Sequence, residues 1–119
     1  MITILPADDA FYAAHGMTDK NLRAMVIAGG DTVTEYIVFA LNGKEMELLE
    51  MYTDDFVIEE GLVRAALNYG FRRAAETAFC TASRFDAILK FLVFKDADGR
   101  KEVSLNEFFS RGCKHCKKM

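Results

Sequence analysis

The chain has 119 residues, of which 51% are hydrophobic and 28% charged, and its formal net charge is -3. That length suits one domain with its own core, and the composition excludes a disordered polar chain. Net negative charge argues against nucleic-acid binding driven by bulk charge. No apolar run reaches the roughly 18 residues that a bilayer-spanning helix needs. The opening Met1–Pro6 has no basic residues ahead of its apolar ones, so no signal peptide is expected either. The three cysteines, Cys80, Cys113 and Cys116, are an odd number and do not form a secreted disulfide framework. The expectation is a cytoplasmic protein with reduced thiols and neither a nucleic-acid nor a membrane partner.

In chain order, Ile2 and Ile4 predict a short strand, and Asp9–Ala14 a brief helix. Leu22–Ala28 reads as a strand ended by the Gly29-Gly30-Asp31 turn. Thr32–Leu41 is rich in β-branched and aromatic residues, and Asn42-Gly43 then marks a hairpin, because both turn positions must tolerate positive φ. Glu45–Tyr52 is the returning, largely buried strand. From Val57 to Glu76 the apolar spacing turns helical, with Asp54 or Asp55 as its N-cap and Glu59-Glu60 at the positive end of the dipole. Arg72 and Glu76 stand at the i,i+4 spacing of an ion pair. Thr77–Ala82 reads as a buried strand that holds Cys80, Phe85–Phe91 as a helix, and Leu92–Lys95 as a strand. Ala97–Arg100 reads as a turn and Glu102–Phe109 as the final strand. The order gives an α+β domain over residues 1–112 with a mixed central sheet and a long helix after the central strand. Residues 113–119 form a basic, cysteine-containing tail.

Two motifs invite metal chemistry. Cys113 and Cys116 flank His115 at knuckle spacing, which supplies half of a tetrahedral zinc site; the alternatives are a redox pair and an incidental tail. The tail alone does not make a zinc site. Asp96, Asp98 and Glu107 have the spacing of a calcium loop. Arg100 stands at a ligand position and Lys101 at the turn glycine, so a β-turn at Asp98-Gly99 is expected instead. No metal site is assigned, and the lone His15 receives no catalytic role.

The hairpin Tyr36–Met51, the helix text Gly61-Leu62-Val63-Arg64-Ala65-Ala66-Leu67, the strand Thr77–Thr81 and the segment Lys90-Phe91-Leu92-Val93-Phe94-Lys95 together resemble the GNAT N-acetyltransferases, over roughly residues 22 to 109. The last segment is similar to that family's helix ending in a Leu-Gly-Phe turn. The resemblance implies an acyl-CoA N-acyltransferase-like sheet that splays open for the pantetheine arm of acetyl-CoA or CoA. It assigns Met51, Tyr52, Thr53 and Gly61 to the cofactor. Glu50 or Asp54, near the end of the central strand, would be the general base for attack by an amine, as would Glu47.

Two departures bear on activity. The two glycines of the family's pyrophosphate loop fall on Val57 and Glu59, and the Tyr52–Glu60 stretch holds four acids and no base. The tyrosine that protonates the departing thiolate in many members falls on Leu89 or Phe91, which have no proton to give. The expectation is a small protein of this fold with degenerate or absent acetyltransferase activity, a binding or interaction module for a small molecule or protein. Self-association through sheet edges would make it a homodimer. The alternatives are an active, divergent acyl-CoA-dependent N-acetyltransferase and a metal- or redox-responsive protein working through Cys113 and Cys116.

Overall fold

β-Branched and aromatic runs separated by turns build one seven-stranded sheet in the order β1-β2-β3-β4-β5-β7-β6. The strands are β1 (Thr3–Pro6), β2 (Leu22–Ala28), β3 (Tyr36–Asn42), β4 (Glu45–Tyr52), β5 (Thr77–Cys80), β6 (Lys95–Ala97) and β7 (Arg100–Ser104). The helices are α1 (Asp9–Ala14), α2 (Phe56–Phe71), α3 (Asp86–Phe91) and α4 (Leu105–Gly112), with a 3-10 turn at Ser83–Phe85. This computed structural model describes residues 3–28 and 35–112. The Gly29-Gly30-Asp31 turn, the first residues of the Thr32–Leu41 prediction and the Cys113–Met119 tail lie outside the described residues.

Among the described residues all pairings are antiparallel except β4 with β5, which run parallel. That single parallel pair needs a crossover, and α2 provides it. Leu62, Val63, Ala66 and Leu67 of α2 are fully buried against Phe39, Met46 and Leu48 of the sheet. The opposite face is covered more thinly, by Phe11 of α1 on Ala24 and Val38.

Beyond shifts of one or two residues at other ends, four differences from the sequence expectation have a physical reason. The helix predicted to Glu76 stops at Phe71. Ala74 turns left-handed (φ 71°), and the Ala75 amide donates back to the Gly70 carbonyl at 2.9 Å. The Glu76 and Thr77 amides are then drawn to the Lys44 carbonyl (2.6 and 3.1 Å) to start β5. Sheet pairing overrides the helical propensity of Ala74-Ala75-Glu76. As a result Arg72 and Glu76 are not one helical turn apart, and Glu76 pairs with Lys44 instead (3.7 Å).

The second change is at the C-terminus, where the predicted strand Glu102–Phe109 ends at Ser104 and α4 follows. The Glu107 amide donates to Ser104 Oγ (3.3 Å). Ser104-Leu105-Asn106-Glu107 is thus a Ser-x-x-Glu helix start that outweighs the β-prone phenylalanines. Phe109 stacks on Phe71 at 4.8 Å, which holds α4 to α2. Third, β5 is two residues shorter than expected, because Ala82 leads into the 3-10 turn.

Last, Leu92–Phe94 is a turn and β6 begins at Lys95. Val93 sits there with φ 65° and is 58% exposed. A β-branched residue is strained in the left-handed region, and here it gains little burial in return. Val93→Gly is therefore expected to stabilise the fold by about 1 kcal/mol, read as a rise of roughly 4 °C in Tm. An unchanged or lower Tm would contradict that reading.

Candidate functional site

The site begins as a fault in β4. Val38 pairs with Glu50 but Phe39 pairs with Leu48, so Leu49 is an extra residue, a β-bulge. Before it Met46 and Leu48 face the main core; after it Met51 does, while Leu49 packs on the other cluster. The bulge thus turns the last residues of β4 out of phase with the first. On its other side β4 is bonded to β5 only at Glu45–Glu47 with Thr77–Phe79. Beyond that the two strands part into a fork, with β5 ending at Cys80 and β4 running on to Tyr52.

A cavity of about 580 Å³ lies at this fork, lined by Leu49 through Asp54 and by Arg84. The residues expected from sequence, Glu50, Met51, Tyr52, Thr53 and Asp54, are thus brought together. Met51 is 5% exposed and its side chain belongs to the core, so it offers the cavity mainly backbone. Gly61 is elsewhere. It lies a turn and a half into α2, where an added Cβ would stand 3.0 Å from Ile4 Cδ1, so it is a packing glycine against β1 and is not among the lining residues. Glu47 pairs with Phe79 before the fork opens.

Side-chain chemistry at the cavity is acidic and aromatic. The Tyr52 phenol donates to Glu50 Oε1 at 3.1 Å, and this hydrogen bond, with the carboxylate's charge, raises the phenol pKa above its usual value. The Tyr36 ring lies 4.7 Å from that of Tyr52. Burial first, then Tyr52 and Glu50, raise the Tyr36 phenol as well. Thr53 is the hinge between strand and helix. Its hydroxyl donates to Glu35 Oε2 at 2.6 Å and accepts from the Asp55 amide at 3.2 Å. Asp54 is exposed at the mouth. Asp55 caps α2, its Oδ1 accepting from the Val57 and Ile58 amides at 2.8 and 3.3 Å.

Arg84 is the residue that sequence reasoning missed. It comes from the 3-10 turn after β5, donates from Nη2 to the Thr53 carbonyl at 2.6 Å, and pairs with Glu59 at 3.0 Å. The Glu59 side chain is only 12% exposed. The contact spans 31 positions, and no local pattern announces it; only the parting of β4 from β5 places that turn opposite Thr53. The Tyr52–Glu60 stretch, baseless in sequence, thus acquires one cation in space.

The late-helix positions are apolar as read: Leu89 is fully buried, and Phe91 lies against Phe56 at 5.5 Å between ring centres. Burial pushes the Cys80 thiol up to about 11, which leaves it protonated and unreactive at neutral pH. Among the described residues no group of three or more His, Cys, Asp or Glu side chains could hold a metal ion. Likewise no helix of the described residues is long and apolar enough to cross a membrane. Cys113 and Cys116 lie outside the described residues.

No protein-family profile matches the chain, and no curated protein sequence matches it. Solved structures do. The spermidine/spermine N-acetyltransferase of Vibrio cholerae matches with a TM-score of 0.65 at 11% identity, over 93% of this chain and 99% of that one. The ribosomal-protein-S18-alanine N-acetyltransferase of Escherichia coli matches with a TM-score of 0.64 at 14% identity, over 86% and 89%. The PaiA N-acetyltransferase of Thermoplasma acidophilum, solved in complex with coenzyme A, matches with a TM-score of 0.61 at 15% identity, over 79% of this chain and 65% of that one. At such identities the likeness speaks for architecture alone. The mixed seven-stranded sheet, its forked parallel pair and the α2 crossover are the acyl-CoA N-acyltransferase fold.

Proposed function

We propose that the protein is a binding module on this fold which takes the pantetheine arm of a thioester ligand, of the acetyl-CoA class, into the fork, with degenerate acetyltransferase chemistry. The observation that carries the reading is the strip Leu49–Asp54, which lines a cavity of about 580 Å³ on the side where β5 has left it. A strand edge without a neighbour can pair with an extended, amide-bearing chain, as in strand addition. The pantetheine arm is such a chain. The weak point for turnover is the leaving group. Leu89 and Phe91 hold no proton for a departing thiolate, so the late-helix route to acetyl transfer is missing.

The test is thermal unfolding with and without acetyl-CoA, CoA and S-acetylpantetheine. A ligand that binds only the native state adds about 2.7 kcal/mol at one hundred times its Kd, and a Tm rise is expected with at least one of the three. Absence of any rise at millimolar ligand would remove the reading. A second reading, an active divergent acyltransferase, has the Glu50–Tyr52 hydrogen bond at the cavity in its favour, with Asp54 beside it. Acetyl transfer to an amine that is lost in Glu50→Gln or Asp54→Asn would select it over the first.

A further inference from the structure

We infer that the fork selects the pantetheine arm and rejects the nucleotide end of a CoA-type ligand, because the chain's own carboxylates close the N-terminus of α2. The inference rests on the reading above and concerns what lies beyond the arm. Thr53, Asp54 and Asp55 lead from the strip directly into α2, so an arm laid along β4 toward the helix delivers its next group to the first turn. A free helix N-terminus is a ready anion site, because its amides and dipole both favour negative charge.

Here the amides of Val57 and Ile58 are already bonded to Asp55 Oδ1. A pyrophosphate arriving there would have to displace that carboxylate and sit beside it, and beside Asp54. The one cation among the lining residues gives little relief. Arg84 is held by Glu59 at 3.0 Å and by the Thr53 carbonyl at 2.6 Å. Arg64, the next basic residue along α2, is paired with Glu60 at 2.8 Å. Val57 adds a branched side chain, 72% exposed, where a close approach of phosphate to backbone would be needed. The residues present therefore fit the arm and do not fit the pyrophosphate, and Asp55 is the specificity-determining residue.

The experiment compares the Kd values of pantetheine and CoA for the full chain by calorimetry at low ionic strength. Wild type is expected to bind CoA no more tightly than pantetheine. Asp55→Gly frees two amides and removes a charge, and glycine is a tolerated N-cap, so the variant stays folded. It should shift the affinity ratio toward CoA by roughly fivefold. Asp55→Asn, which keeps the cap and loses only the charge, should shift it less.

Wild-type binding of CoA about tenfold tighter than pantetheine would overturn the inference while leaving the fork reading intact. An unchanged ratio in Asp55→Gly would overturn the role of Asp55. Binding of neither molecule would instead remove the fork reading, and this inference with it.

Discussion

Replacing Phe85 by alanine should destabilise the fold by about 3–5 kcal/mol, the range for loss of a large buried aromatic. Phe85 is fully buried in the main core, in the same 3-10 turn that carries Arg84. The turn has no side-chain N-cap, so what anchors it is this phenyl ring together with Arg84's own bonds. The variant should thus lose more than core volume. With the ring gone, Arg84 has no fixed base from which to reach Thr53 and Glu59. Phe85→Leu keeps most of the apolar contact and should cost well under half as much. Denaturant unfolding of both variants checks this, and equal losses would mean that the shape of the ring, not retained apolar contact, sets the cost.

The second large effect is at Gly70, near the end of α2. An added Cβ would stand 2.3 Å from Met46 Sδ and 3.2 Å from Met46 Cε. Met46 is fully buried, and its strand is held by β3 on one side and β5 on the other, so relief must come from its flexible thioether turning within a filled core. Alanine gains about 1 kcal/mol of helix propensity over glycine, against overpacking that costs about 1–3 kcal/mol or more. We expect a net loss of about 1–2 kcal/mol for Gly70→Ala. The cause can be isolated. In a Met46→Ala background the same change should become neutral or stabilising, a coupling that a double-mutant cycle reads directly. Equal costs in both backgrounds would place the strain elsewhere.

Much of the architecture was legible because local and tertiary preferences agree there. The hairpin signalled by Asn42-Gly43 forms between β3 and β4, but one residue on: Asn42 pairs with Glu45, the two-residue loop is Gly43-Lys44, and only Gly43 takes positive φ (65°). The Val57-onward periodicity gives α2, and of the two expected caps, Asp54 and Asp55, it is Asp55 that caps it. Illegible stretches are those where two signals competed. Phe108 and Phe109 look β-prone, yet Ser104 and Glu107 start a helix. The Ala74–Glu76 segment looks helical, yet the Lys44 carbonyl claims it for the sheet.

The site divides in the same way. Glu50 through Asp54 are contiguous in sequence, so a strand-end argument finds them together. Arg84 reaches them only through the parting of β4 and β5, which no spacing rule encodes. Gly61 lies in helix text that resembles the family's, but packing against Ile4 accounts for it.

Entry of a pantetheine arm into the fork along β4 is read by titrating S-acetylpantetheine into the isotopically labelled protein and following backbone amide shifts. Saturable changes are expected at Leu49–Asp54 and at Ser83–Phe85, with the C-terminal turns of α2 unmoved. No saturable change at millimolar ligand, or changes centred away from the fork, would contradict it.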